Sequence, residues 1–580
     1  MGIFKKITAS ALALATGMLC TGVTYNSDSP KAAAAPDEYH DDWLHVNENA
    51  EIVDMYGNPV WLTGCNWFGY NVGSQVFDGV WSQNMHDMLN QIADHGFNLL
   101  RVPMSTEILL QWKNGDPDPA TPKVNEYSNP ELTVEGIQGG KVMYSFDIWN
   151  KAVEWCRENG IKIMMDIHSA ETASAGHQVS TWYTDKFSTE DWLEALAWFA
   201  EYYKDDDTII AIDLKNEPHG KADVPSQMAK WDDSKDINNW KYAAERGAAA
   251  VLEQNPNLLI MVEGNEVYPK EGYDWTAPQI DWSTMTTFYH GAWWGGNFRG
   301  VRKDPIDLGD GQSQLVYSPH DYGPLVYEQD WFKKDFTTQT LLDDYWYDSW
   351  AFICEEKIAP LLIGEWGGFI DEQHDKDGKN TKWMTLLRDY MIKNRIHHTF
   401  WCFNENSGDT GGLVYDNFGK WDVDKYELVK PALWQDNDGK FISLDHKIPL
   451  GQNGSGISLS EYYSGENPPI TTTVPSTDDK PTTIPVTTTE PVTSATSEPE
   501  SSSESSIAYG DANLDGEVGI SDAVTIMSFV TNSKEYSLVS EAQTNADVYN
   551  TGDGINNMDA LSVQKFMAQL IEKLPESYLN

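Results

Sequence analysis

The chain is poor in basic residues, in cysteine and in long apolar runs, and each shortage excludes a class of function. Forty lysines and arginines stand against 89 aspartates and glutamates, a formal charge of −49 at pH 7. Such a surface repels phosphates and anionic lipid, so neither nucleic acid nor membrane is expected as a partner, and neutral ligands suit it better. Five cysteines in 580 residues leave little room for disulfide staples. Cys65, Cys156, Cys354 and Cys402 are scattered without metal-type spacing in a body large enough to hold its own core, so buried free thiols are expected. The N-terminal apolar stretch, residues 7–20 after Lys5 and Lys6, is too short to span a bilayer but has the length and flanks of a secretory signal. The small-residue run 32–35 before Pro36 offers a cleavage site, so 1–35 reads as a signal peptide and the protein as exported. Cys20 sits in Gly17-Met18-Leu19-Cys20, a poor match to a lipid-attachment box.

What is present in quantity is apolar patterning: 40% hydrophobic and 12% aromatic content can bury a large core and more than one domain. Eight short strand-like runs stand out, at 60–64, 97–102, 161–167, 208–214, 258–263, 315–320, 360–364 and 397–402. Helix-like amphipathic segments separate most of them, among them 82–95, 146–159, 189–204, 239–254 and 382–394. Eight such units over residues 36–465 predict an α/β fold, a (β/α)8 TIM barrel with long loops, including 104–145. In that fold chemistry gathers where strands end. Arg101, His168, Asn216, Glu217, His320, Tyr322, Glu365 and Trp401 all fall at or near the C-terminal ends of these runs.

Glu217 and Glu365 each close an apolar run, and two carboxylates facing one bond are the apparatus of glycoside hydrolysis. Either alone is weak, since a glutamate after a strand is commonly a solvated loop residue. In context, Leu214-Lys215-Asn216-Glu217-Pro218-His219-Gly220, Tyr317-Ser318-Pro319-His320-Asp321-Tyr322, Gly364-Glu365-Trp366-Gly367 and Ser407-Gly408-Asp409-Thr410-Gly411-Gly412 resemble the bacterial cellulases of glycoside hydrolase family 5, over most of 40–435.

The resemblance implies a retaining mechanism with Glu217 as acid/base and Glu365 as nucleophile, the carboxyl groups about 5 Å apart. It implies that Arg101 lies beside the nucleophile, that Asn216 binds the sugar 2-hydroxyl, that His320 and Tyr322 support the nucleophile and the glycone, that His168 contacts substrate, and that Trp401 underlies the sugar at the cleavage point. Trp67, Trp293 and Trp294 are expected to extend that aromatic platform, while Phe403 stands where relatives often carry a second Trp. The expected activity is a monomeric endo-β-1,4-glucanase needing no cofactor for catalysis. The same chemistry on mannan, xyloglucan or mixed-linkage β-glucan, and a non-catalytic carbohydrate-binding protein, are the alternatives.

Residues 466–506 turn to Thr, Ser, Pro and Glu and read as a disordered linker without the apolar surface to pack. Beyond it, 507–580 carries a duplicated Asp-rich loop and apolar helix, a small all-α module. In the first copy Asp511, Asn513, Asp515, Glu517 and Asp522 take positions 1, 3, 5, 7 and 12 of an EF-hand-like loop, a hard-oxygen set suited to Ca²⁺. Asp in place of Glu at position 12, with a helix after each loop, resembles the type I dockerins that plug cellulosomal enzymes into cohesins of a scaffold. The second copy departs in spacing, with Asp547, Asn550, Asp553, Asp559 and Asn556 or Asn557 as candidate ligands.

Overall fold

The computed structural model describes residues 42–115, 122–220, 228–278, 286–464, 509–514, 518–531, 537–549, 554–567, 571 and 573–575. The expected signal peptide, the expected linker, Asp515, Glu517, Asn550 and Asp553 lie outside the described residues. The chain divides into two compact units between Thr477 and Asp478.

The first unit is built on eight parallel strands: β1 Thr63–Asn66, β2 Leu99–Ser105, β3 Lys162–Ser169, β4 Ile209–Asp213, β5 Leu259–Val262, β6 Leu315–Tyr317, β7 Leu362–Ile363 and β8 His397–Phe400. Each pairs with its chain neighbours, and β8 pairs with β1. The ring closes between β6 and β7 where Tyr317 bridges Leu361 and its N–H donates to the Pro360 carbonyl at 3.2 Å. All eight strands are buried, which is why they read as continuous apolar runs and not as alternating ones. The barrel interior is filled by Leu99, Met164, Ala211, Leu259, Met261, Val316 and Leu362, and closed below by Leu44, Ile52, Trp434 and Ile442.

Helices Met85–Asp94, Ser145–Glu158, Thr189–Tyr202, Trp240–Gln254 and Lys379–Asn394 match the amphipathic segments to within a few residues. Their ends follow capping chemistry: the Ser188 hydroxyl accepts from the Asp191 N–H while the Asp191 carboxylate accepts from Ser188. Several helical stretches escaped the pattern, among them two between barrel strands. Thr106–Asn114, capped by Ser105, occupies part of the span 104–145 expected as a loop. Between β6 and β7, Thr338–Leu341 continues as a π-helix, Leu342–Ala351, and ends in Phe352–Glu355. The π-helix buries Tyr345, Trp346 and Trp350. Cys65, Cys156 and Cys402 are buried free thiols as expected, and Cys354 is free but only partly buried.

The second unit holds helices Ile520–Thr531, Ser540–Ala546 and Asn557–Met567 around Ala512, Ala523, Ile526, Ala546, Val548, Ala560 and Val563. The first and third of these are the two repeat helices, and the middle one was not foreseen. The repeat is visible in hydrogen bonds. Asp522 accepts from the N–H groups of Asn513 (3.0 Å) and Gly519 (2.8 Å), and Asp559 accepts from those of Val548 (2.7 Å), Tyr549 (2.7 Å) and Asn556 (2.8 Å). Among the described residues no helix is long and apolar enough to cross a membrane.

Candidate active site

A cleft of about 980 Å³ opens over the C-terminal ends of the strands. It is lined by His168, Asn216, Glu217, Trp293, Trp294, Tyr322, Glu365 and Trp401, together with Phe68, Asp78, Asn406 and Asp409. Thus the structure gathers residues from β3, β4, β6, β7 and β8 that lie up to 233 positions apart, counting from His168 to Trp401.

Beneath the cleft sits Arg101, fully buried and inside β2 rather than after it. One η nitrogen donates to Glu365 Oε1 at 2.9 Å and to Asn66 Oδ1 at 3.0 Å. The other reaches Asp213 (2.9 Å), Asn216 Oδ1 (3.1 Å), Asp166 (3.2 Å) and Glu263 (3.4 Å). Burial alone would lower its pKa, but the surrounding carboxylates raise it far above the usual range, so the charge is permanent. Its fork ties Glu365 and Asn216 to one rigid centre.

Glu365 lies two residues past β7 and is 4% exposed. Besides Arg101 it accepts from the Tyr322 hydroxyl at 2.6 Å. Glu217, four residues past β4, has its side chain 12% exposed to the cleft and its backbone in the left-handed region at φ 52°. His320 stands between the two: Nδ1 is 3.1 Å from Glu217 Oε1 and 3.5 Å from Glu365 Oε2. One oxygen of Glu217, one of Glu365 and a ring nitrogen of His320 all fall within 4.8 Å of one another.

Charge is distributed unevenly across this pair. Burial raises Glu217, but the hydrogen bond and charge of His320 overcome it and hold the carboxyl down at about 2. Burial raises Glu365 above the usual carboxylate range despite His320 and Arg101. His320 itself is pushed up, burial notwithstanding, by Glu263 and Glu365. In the empty cleft the imidazolium therefore favours the anion on Glu217, the reverse of the order expected for an acid Glu217 beside a nucleophilic Glu365.

His168 belongs to β3 and is kept neutral by burial, with Nδ1 2.7 Å from Asp166 Oδ2, which leaves Nε2 for the cleft. Trp401, one residue past β8, stacks against His168 (5.7 Å between ring centres, 5° between planes) and Phe68 (5.6 Å, 18°). Trp294 stacks face to face on His219 at 3.6 Å, and Trp293 packs edge-on to Tyr322.

One expectation needs correction. Trp67 is not part of the aromatic platform: it is fully buried, stacked on Phe77 at 4.1 Å, with its indole N–H on the Asp78 carbonyl at 2.9 Å. Phe403, at the position where relatives often carry a second Trp, packs inward against Trp67 and Phe418. His320 faces Glu365, and lies nearer still to Glu217. Sequence reasoning also missed Asn66, Asp166, Asp213 and Glu263, the rest of the shell around Arg101. The available signal was the same one that marked Glu217: a lone polar residue ending or interrupting an apolar strand.

Residues 53–407 match the family model Cellulase (glycosyl hydrolase family 5). Endoglucanase G of Acetivibrio thermocellus is 49% identical over 540 residues, covering 89% of this chain and 90% of that protein. Endoglucanase B of the same organism is 43% identical, covering 91% and 92%. Among solved structures, the endocellulase of Pyrococcus horikoshii shares 31% identity at a TM-score of 0.57, covering 68% of this chain and 98% of that one. The catalytic domain of the major endoglucanase of Xanthomonas campestris shares 30% at 0.56, covering 67% and 99%. With the barrel, the strand-end carboxylates and these relatives in agreement, the chain belongs to the cellulase family, glycosyl hydrolase family 5.

Proposed function

We propose that this protein is an endo-β-1,4-glucanase that cleaves cellulose with retention, Glu365 attacking the anomeric carbon and Glu217 protonating the leaving oxygen. The observation that carries the reading is the closeness of the two carboxylates, one oxygen of each lying within 4.8 Å of the other, which suits the short separation of a retaining pair better than the roughly 6.5 Å or more of an inverting one. Arg101 and Tyr322 hold two lone pairs of Glu365 and leave its attack geometry fixed. Asn216, itself anchored on Arg101, would hydrogen-bond the sugar 2-hydroxyl.

Protonation follows from the coupling of His320 to both carboxylates. A sugar in the cleft strips water from the exposed edge of Glu217 and raises the cost of its charge, while Glu365 keeps its two donors. The proton on His320 Nδ1 then passes across 3.1 Å to Glu217 Oε1, leaving a neutral imidazole, a charged nucleophile and a protonated, neutral Glu217 ready to donate. In the second half Glu217 takes a proton from the water that releases the glycosyl group from Glu365.

Outside the barrel, we read 1–35 as a signal peptide, 466–506 as a linker and 507–580 as a Ca²⁺-binding dockerin that docks the secreted enzyme on a cohesin of a cellulosome. The described residues suit calcium: Asp511, Asp522 and Asp559 are buried oxygen donors, and Asp522 and Asp559 brace their loops in the same way. The likeness to Endoglucanase G supports a shared layout, since 89% of the chain exceeds what residues 36–465 supply.

The test is reducing-sugar release from carboxymethyl cellulose, mixed-linkage glucan, xyloglucan, xylan and mannan, with product anomers followed by NMR. Carboxymethyl cellulose is expected to lead, β-anomers to form first, and Glu365→Gln to lose about a thousandfold or more in turnover. Preference for another glucan or mannan would move the substrate, and inactivity on all would favour a binding protein. For the C-terminal module, chelation is expected to abolish cohesin binding and reduce helical circular dichroism. Unchanged signals would remove the calcium reading.

A further inference from the structure

Glu263, the residue after β5, has no place in the mechanism above, yet it touches both proton-handling groups. It is fully buried. Its Oε2 accepts the backbone N–H of Glu217 at 2.8 Å, and its Oε1 lies 3.1 Å from His320 Nε2, a close ionic contact rather than a well-aligned hydrogen bond. Its own carbonyl is fixed by the indole N–H of Trp240 at 2.7 Å. We propose that Glu263 is a positioning residue that clamps the backbone of Glu217 and orients the His320 ring between the two catalytic carboxylates.

The need for a clamp is local. A glutamate at φ 52° sits in a region that costs on the order of 1–3 kcal/mol and persists only where its surroundings hold it. Glu263 takes the N–H of Glu217, and His219 Nδ1 lies 2.6 Å from its carbonyl oxygen. Space for the carboxylate is reserved by Gly295, where an added Cβ would lie 2.1 Å from Glu263 Oε2 and where φ is +72°. No other residue fits there without displacing Glu263.

The second contact sets the histidine. With Nε2–H turned to Glu263, Nδ1 is the nitrogen left to exchange a proton with Glu217. The charges facing Glu263 are Arg101 from β2, Asp213 from β4 and His320 after β6. Lys215 and Glu217 complete the set from the β4 loop, and Glu365 adds the far side of His320. Burial raises Glu263 well above the usual range, while His320 and Arg101 pull it down.

The proposal rests on the reading of Glu217 as the acid. It is tested with the full chain and two substrates, a cello-oligosaccharide whose leaving sugar needs a proton and a dinitrophenyl cellobioside whose phenolate leaves without one. kcat/KM reports bond cleavage in both. Glu263→Gln is expected to lose at least about tenfold more on the oligosaccharide than on the activated substrate, a part of the 10²–10⁴-fold that general acid catalysis supplies. Gly295→Ala, which displaces Glu263 without altering it, is expected to show the same bias and decides the matter should Glu263→Gln fold poorly. Equal losses on both substrates, or no loss, would overturn the proposal. Glu217→Ala run alongside separates the two failures: absence of bias there would overturn the acid assignment and this inference with it, whereas bias in Glu217→Ala alone would overturn only the role of Glu263.

Discussion

Arg101 and Lys162, two of the buried cations of this barrel, lie toward opposite ends and are used differently. Arg101 below the cleft contacts Asp166, Asp213, Glu263 and Glu365 within 3.4 Å. Lys162, the first residue of β3 at the opposite end, contacts Asp42 (2.7 Å), Asp445 (3.3 Å) and Asp207 (3.6 Å). Both sets are buried, but only the Arg101 set includes a carboxylate that opens on the cleft. Around Lys162 the carboxylates come from the start of the described barrel, from the β4 approach and from the segment after β8, so the charge fastens distant stretches of chain. A planar fork orients; a point charge gathers.

If that distinction is right, the two cations fail in different ways when removed. Lys162→Met strands three buried carboxylates and is expected to cost about 3–5 kcal/mol of stability while kcat of the folded enzyme is unchanged. Burial holds Asp207 up at about 6, and also raises Asp445, so the penalty should be smaller at pH 5 than at pH 8, when fewer of these groups need a counter-charge. Chemical denaturation at the two pH values measures both. Arg101→Lys keeps the charge and loses the fork. A loss on the order of 10²-fold in kcat, larger than the change in KM, is expected with a smaller effect on stability. A Lys162 variant that lost turnover in proportion, or an Arg101→Lys enzyme with normal kcat, would erase the difference between the two ends.

The same contrast marks what was legible beforehand. Strands declared themselves because each is buried on both faces, and Arg101, Glu217 and Glu365 because a charged residue in such a run must be paid for by a partner. Asp166 and Asp213 carried that same mark but were passed over, since nothing in the chain says which partner an isolated aspartate meets. The Lys162 set was invisible for a related reason, its members being separated by up to 403 positions from Asp42 to Asp445. Trp67 and Trp401 look alike as letters, yet one is core and the other lines the cleft, because which face of a strand end a ring takes is settled by neighbours such as Phe77 and His168. The left-handed backbone of Glu217 had no sequence signal at all, as Pro218 constrains its own φ and only disfavours helix for the residue before it.

The smallest effect is expected at the edge of the lower set. His446 bridges it to the residue after the short strand Ile52–Val53, with Nδ1 2.6 Å from Asp42 and Nε2 3.1 Å from Asp54. Burial would lower its pKa, but these two carboxylates raise it from 6.5 to about 9. A histidine raised on folding contributes stability that is complete below its unfolded value near 6.5 and is lost as pH climbs through about 9. Thermal melts of the enzyme should therefore fall between pH 6.5 and 9, and His446→Asn should flatten that slope and cost about 1–2 kcal/mol at pH 6, less than the full linkage value because the ring is only partly enclosed. The comparison also fixes what should not change. The carboxylate pair in the cleft is anchored by Arg101 and not by His446, so the pH dependence of kcat/KM should be the same in His446→Asn and in the parent. A variant whose activity profile moved together with its melting profile would mean that the two charged ends are coupled through the barrel, and the division of labour between orienting and fastening would no longer hold.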